Sequence, residues 1–234
     1  ALSPALLRPI TLGADIVIQS VTKVMSSSGA GVAGAVIARK PIVARAGSDE
    51  MKADFCQYLK LWPQRDTGGC LHPFQALMSL ADLRTLRARV DAWSRTALRV
   101  ARYLEGNPGV LSVNYLGLES NPLHEIARRY LWLVDAEHDE QYGEPVNRYG
   151  HMLSFRVKGG AQATRDAFDR FRMIWRATDL GRVKTVATIP AISTHLQQGE
   201  ECREMACVPA DLIRLSVGAE HPDDIIRDLE QALR

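Results

Sequence analysis

The sequence predicts an α/β fold, and three observations carry that expectation. Short runs of branched apolar residues, Ile16–Ile18 and Val36–Ile37 among them, are bounded by glycine and serine and read as strands. Other stretches repeat apolar residues at helical spacing and end on glycine or proline. The two kinds of segment follow one another along the chain, which is the pattern of mixed α/β architecture.

The opening residues, ALSPALLRPITLGADIVIQ, offer one short helical patch and then a strand. The continuous apolar run from Ile16 reads as a central strand covered on both faces. Such a strand needs parallel neighbours and nothing before it supplies one, so the chain reads as the carboxyl-terminal portion of something longer. A Ser/Gly loop follows Lys23, and GVAGAVIARK (Gly31–Lys40) reads as a second strand. DEMKADFCQYLKLW, before Pro63, is helix-prone, and the glycine loop at Gly68 gives way to a helix near Pro73.

A well-signalled amphipathic helix comes next, with Trp93, Ala97, Val100, Ala101 and Leu104 on one stripe and Gly106 and Pro108 as its stop. The stripe reads as core. Val110–Tyr115 and His151–Val157 read as strands, and the polar stretch between them, VDAEHDEQYGEPVNRYG, as an exposed excursion. QATRDAFDRFRMIWRA reads as one helix that buries Ala167, Phe168, Phe171, Ile174 and Trp175. The chain closes with a strand, a turn and a helix, where Pro222, Asp223 and Asp224 suit the first helical turn.

Composition narrows the function classes. With 234 residues, 46% hydrophobic and 24% charged, the chain is an ordinary globular protein with enough residues for one good core or two modest ones. A net charge of +2 without a Lys/Arg block gives no support for a nucleic-acid or membrane partner. No segment has the apolar length of a membrane span, and a cytoplasmic location is the default. Cys56, Cys70, Cys202 and Cys207 lack paired spacing and read as reduced thiols; Cys70 and His72 alone do not make a metal site, so none is expected.

Two residues carry possible chemistry. Lys23 stands at the carboxyl end of the first strand, where open α/β sheets bind ligands. Partial desolvation there favours the neutral amine that a Schiff base needs, and Ser20, Thr22 and Ser26–Ser28 surround it with hydroxyls for an anion such as a phosphate. A lysine that merely emerges into solvent is the alternative. Arg214 alternates with Leu212 and Ser216 on one face of the last strand, while Ile213, Leu215 and Val217 take the other. A structural carboxylate and a ligand carboxylate would suit its guanidinium equally.

The segment GADIVIQSVTK (Gly13–Lys23), its Gly/Ser loop and AGAVI resemble the lysine segment of the cysteine/methionine-metabolism family of pyridoxal-phosphate enzymes. HPFQALMSLADLRTLRARV, YLEGNPGVLSVNYLGLESNPLHEIARR, GHMLSFRVKGG, IPAISTH and DLIRLSVGAEHPDDIIRDLEQAL extend the resemblance over nearly the whole chain. It implies the fold-type I transferase architecture, aspartate-aminotransferase-like: residues 1–80 as the end of the large cofactor domain and 81–234 as the carboxyl-terminal α/β domain.

The resemblance also implies roles. Lys23 matches the lysine that bonds pyridoxal phosphate and moves protons on the substrate, Ser20 and Thr22 match hydroxyls that bind the cofactor phosphate, and Arg214 matches the arginine that grips the substrate α-carboxylate. Thr185 stands where the family commonly has a serine near that site. The implied reaction is γ-replacement on an activated homoserine, of the cystathionine γ-synthase or O-acyl-homoserine sulfhydrylase type. A γ-lyase of methionine or cystathionine is the alternative, and a catalytically silent remnant lacking the amino-terminal half is another. A homo-oligomer built as a dimer of dimers that share active sites is implied as well. By the same match, the acidic partner of the pyridine nitrogen falls just before Ala1. The chain departs from the family pattern at Ala81, where many members have arginine, and in the serine loop after Lys23, where a glycine/histidine-rich loop is usual.

Overall fold

The computed structural model describes residues 2–234, which divide into two units, the first running to Leu86 and the second from Arg87 to Arg234.

In the first unit, β1 (Ile16–Ser20) pairs antiparallel with β2 (Gly34–Ala38), from Ile16 opposite Ala38 to Ser20 opposite Gly34. This corrects the expectation of a central strand buried on both faces. β1 is half of a two-stranded antiparallel ladder, and Ile18 is 78% exposed. A two-stranded ladder has no crossover helices to cover its faces, so an apolar run by itself does not establish burial. Short helices follow, α1 (Asp49–Ala53), α2 (Phe55–Leu59) and α3 (Arg65–Thr67), with a π-helical turn through Pro63 joining the last two. Ser48 and Asp54 cap the first two by accepting the N–H groups of Met51 and Gln57. After left-handed Gly68, α4 (Pro73–Leu83) starts with proline at its first turn, as the sequence suggests.

In the second unit, α5 (Leu86–Glu105) buries Trp93, Ala97, Val100, Ala101 and Leu104, the stripe expected from their spacing. The remaining elements are β3 (Val110–Asn114), α6 (His124–Tyr130), β4 (Met152–Val157), α7 (Gly160–Asp169), β5 (Trp175–Arg176), β6 (Val186–Thr188), α8 (Gly199–Met205), β7 (Leu212–Ser216) and α9 (Pro222–Ala232). The five strands form one sheet in the order β3-β4-β7-β6-β5, antiparallel except for β5 beside β6. Leu153, Phe155, Ile213 and Leu215 point from the sheet into a core shared with α5 and with Ile225 and Leu229 of α9. The opposite face carries Asn114, Ser154, Arg156 and Arg214, because side chains alternate along each strand.

One further expectation is corrected. The helix expected through Trp175 ends at Asp169, and Trp175 lies in β5, 56% exposed beneath the Lys184 ammonium. Asp228 of α9 is the cause: its carboxylate accepts the N–H groups of Arg172, Met173 and Ile174 and holds them out of helical register. The polar excursion is anchored to the unit. Arg87 binds Asp139 and the Val134 carbonyl, Asp91 accepts from Tyr142 and Arg148, and Ala136 is fully buried.

No helix among the described residues is long and apolar enough to cross a membrane, and no group of three or more His, Cys, Asp or Glu residues among them could hold a metal ion.

Candidate active site

Lys23 closes the first strand's exit. Val21 and Val24 on either side are buried, Thr22 and Lys23 are half-buried, and Ser20 is exposed at the strand end. The Lys23 N–H donates to the Ser20 carbonyl at 3.4 Å, and the Lys23 carbonyl accepts from the Ser26 N–H at 3.0 Å as the chain enters a 3₁₀ turn, Val24–Ser26. Thr22 holds the neck of this loop: its hydroxyl donates to the Ala33 carbonyl at 3.1 Å and accepts the Ala33 N–H at 2.9 Å. The Thr22 proton is therefore committed to the loop, while Ser20 presents its hydroxyl to solvent. Ser26 and Ser27 are buried, and Ser28 turns to α4, where Asp82 accepts its N–H at 3.1 Å and its hydroxyl at 2.7 Å.

In the second unit Arg214 is half-buried on the polar face of the sheet, opposite Ser154 of β4 and Thr188 of β6. Its Nη2 donates to the carbonyls of Thr178 at 2.7 Å and Asp179 at 3.2 Å, and its Nε is buried with no partner. Burial pushes the guanidinium down from its ordinary value, and the Asp179 carboxylate opposes that shift. That carboxylate is bonded to Arg182 Nε at 2.5 Å, and Arg214 forms no ion pair with any carboxylate among the described residues. Arg214 instead borders a cleft of about 370 Å³ with Asn114, Leu116, Met152 and Ser154. A cationic fork with one N–H unmet beside a cleft suits a planar anion.

Thr185 is fully buried and its hydrogen bonds are saturated. Its hydroxyl donates to Glu220 Oε2 at 2.7 Å and accepts the Gly218 N–H at 2.9 Å, while its own N–H donates to Glu220 Oε1 at 2.8 Å. Those bonds tie β6 to the turn after β7. The carbonyls that reach Arg214 come from Thr178 and Asp179, which the sequence reading did not single out. Ser20, Thr22 and Lys23 are thus brought together in one unit, and Arg214, on β7, and Thr185, just before β6, lie in the other. Asp82 was also missed, since a contact 54 residues from Ser28 leaves no local signal.

The donor set fits pyridoxal phosphate. Lys23 brings an amine and Ser20 an exposed hydroxyl within one short segment, and Arg214 brings a cationic guanidinium with an unmet Nε.

An α/β protein with such groups falls in the class of amino-acid enzymes that work through an amine-bound carbonyl cofactor. Over residues 1–234 the chain matches the family described as Cys/Met metabolism PLP-dependent enzyme, and it belongs to that family. Among its relatives, O-succinylhomoserine sulfhydrylase of Pseudomonas aeruginosa is 38% identical over 99% of this chain and 50% of its own length. L-methionine gamma-lyase of Fusobacterium nucleatum subsp. polymorphum is 33% identical over 99% of this chain and 52% of its own length. The crystal structure of a putative O-acetylhomoserine (thiol)-lyase from Campylobacter jejuni, which carries a pyridoxyl-lysine phosphate, superposes with a TM-score of 0.86 at 30% identity, over 99% of this chain and 56% of that one. The chain therefore spans about half the length of the relatives it matches. The family is one of PLP-dependent enzymes of sulfur amino-acid metabolism, and its α/β fold agrees with the expectation from sequence.

Proposed function

We propose that the chain supplies the cofactor lysine and the substrate arginine of a PLP-dependent enzyme that replaces the γ-substituent of an activated homoserine, of the O-acyl-homoserine sulfhydrylase type. The observation that carries this reading is Arg214: a half-buried guanidinium with a buried, unmet Nε and no ion pair among the described residues. An amino-acid substrate brings that carboxylate. Lys23 would bond the cofactor, with the Ser20 hydroxyl and the amides of the serine loop toward its phosphate. Bound pyridoxal phosphate supplies an electrophilic carbon and an electron sink.

The chain's own residues then divide the work. Arg214 would hold the α-carboxylate through its guanidinium and so fix which way the Cα–H bond points. Lys23 Nζ would take the proton from Cα and return one later in the sequence. With sulfide as nucleophile and O-succinylhomoserine as substrate, succinate leaves from the γ-carbon and homocysteine forms. The second reading, γ-elimination from methionine, is favoured by the similarity to L-methionine gamma-lyases. We also place the protein in the cytoplasm as a homo-oligomer of two dimers; four free cysteines among the described residues support a reducing compartment.

The test is succinate release from O-succinylhomoserine and sulfide by the protein with pyridoxal phosphate, beside its Arg214→Lys variant. Turnover with KM raised about tenfold or more in the variant is expected, since an ammonium does not reproduce the planar fork. Methanethiol from methionine, without succinate release, would favour the second reading. Turnover of neither substrate, or an unchanged KM in the variant, would overturn the assignment.

A further inference from the structure

We propose that Asp82 is a positioning residue for Lys23, latching the serine loop behind the lysine onto α4. The proposal rests on the reading of Lys23 as the cofactor lysine. Asp82 Oδ2 accepts the Ser28 hydroxyl at 2.7 Å, the Ser28 N–H at 3.1 Å and the Ser26 hydroxyl at 3.5 Å. Ser79, one turn earlier on the same face of α4, is buried with an unpartnered hydroxyl that lies against Gly31. A Cβ on Gly31 would come within 2.6 Å of Ser26 Oγ and would also strike Ser79 Oγ, so only glycine lets the loop sit this close to the helix. Left-handed Gly29, at φ +85°, makes the turn between the two contact points.

These contacts reach Lys23 through few bonds. Ser26, whose side chain meets Asp82, donates its N–H to the Lys23 carbonyl at 3.0 Å. Thr22 and Ala33 clamp the neck of the same loop. The peptide of Lys23 thus lies between a clamp at Thr22 and a charge-assisted latch at Asp82, and the stem of an amine that must meet a reacting carbon starts from a fixed base. Ser28 is exposed, so water replaces the latch when it is removed. The cost then falls on loop position more than on folding.

Two readouts on the whole chain test this. Amide exchange over residues 23–31 is measured without cofactor, and the rate of borohydride-trapped pyridoxal phosphate labelling at Lys23 is measured against exposed Lys158. Asp82→Ala, Ser28→Ala and the double variant are compared with the parent. Each single variant is expected to speed exchange in the loop and to slow Lys23 labelling about five- to tenfold relative to Lys158, the factor that one net hydrogen bond sets. The double variant should be no slower than Asp82→Ala, because the bond that the Ser28 hydroxyl makes is already lost with the Asp82 carboxylate. Should Asp82→Ala fail to fold, Ser28→Ala carries the test. Faster exchange with unchanged Lys23 labelling would overturn the proposal and leave Asp82 a structural tie. A parent protein that labels Lys23 no faster than Lys158 would overturn the cofactor-lysine reading itself, and this proposal with it.

Discussion

Asp228 offers the sharpest test of how the second unit is held together. Its carboxylate is buried and accepts the N–H groups of Arg172 at 2.9 Å, Met173 at 2.9 Å and Ile174 at 2.8 Å, with Gln231 Nε2 adding a fourth bond at 2.9 Å. Replacing it with alanine strips the acceptor from three consecutive amides. Arg172 is exposed and Met173 partly so, and water can reach both; Ile174 is buried and its N–H would be left unmet. One buried unsatisfied donor costs ~1–3 kcal/mol, and the loss of charge-assisted bonds at the rim adds about 1 kcal/mol. Asp228→Ala should therefore destabilise the unit by about 3 kcal/mol, or lower its midpoint by roughly 6–12 °C for a unit of this size.

The same carboxylate makes a pH signature. Burial raises the Asp228 carboxyl, but the amides of Ile174, Arg172 and Met173 outweigh it and the group lies below its ordinary value. A carboxyl lowered on folding stabilises the native state above its unfolded value, near pH 4, and that contribution is lost as pH falls through the folded value. Urea unfolding followed by tryptophan fluorescence, with Trp93 buried in α5 as reporter, should show the parent and Asp228→Ala about 3 kcal/mol apart at pH 7. The gap should narrow as the parent is acidified below pH ~4. A gap under about 1 kcal/mol at pH 7, or one that does not narrow in acid, would refute the assignment of Asp228 as the anchor of this turn.

The remaining predictions concern backbone fit. Cys207 sits at φ +54° after α8, where Val208 N–H returns to the Arg203 carbonyl and Cys207 N–H to the Glu204 carbonyl, the hydrogen-bond pair of a Schellman stop. Cys207→Gly should stabilise the protein by about 1 kcal/mol in thermal unfolding, and a lower midpoint would contradict the strain argument. Gly218 lies against the segment just before β6 so closely that a Cβ would fall 2.6 Å from Thr185 N and would also meet the Val183 carbonyl. Gly218→Ala should cost about 2–3 kcal/mol by the same assay, and a neutral result would mean that the Thr185–Glu220 link yields readily.

Much of the second unit was legible in sequence because its strands obey a strict period. Leu153, Phe155, Ile213 and Leu215 alternate with Ser154, Arg156 and Arg214, and the structure keeps that alternation, buried on one side and polar on the other. What escaped was decided by partners distant in the chain. Nothing within Gln162–Ala177 announces that Asp228, 54 residues beyond Ile174, will turn three amides away from the helix. The exposure of Ile18 escaped for a different reason: hydrophobicity reports that a residue prefers to be covered and is silent on what covers it.

The candidate site divides along the same line. Ser20, Thr22 and Lys23 are near one another because they are near in sequence, and the alternation of β7 was enough to aim Arg214 at the polar face. The tuning of each group was not local. Thr22 spends its hydroxyl on Ala33, Thr185 spends its own on Glu220 and Gly218, and Arg214 is steadied by two carbonyls from the Thr178–Asp179 loop, 35 and 36 residues away. The groups with saturated bonds hold the framework. Arg214 keeps a buried N–H without a partner, and such a donor costs stability unless something with the right charge arrives to meet it. On the proposed reading, in a PLP-dependent family of Cys/Met metabolism, the carboxylate of an amino-acid substrate would have the charge and planar geometry to satisfy it.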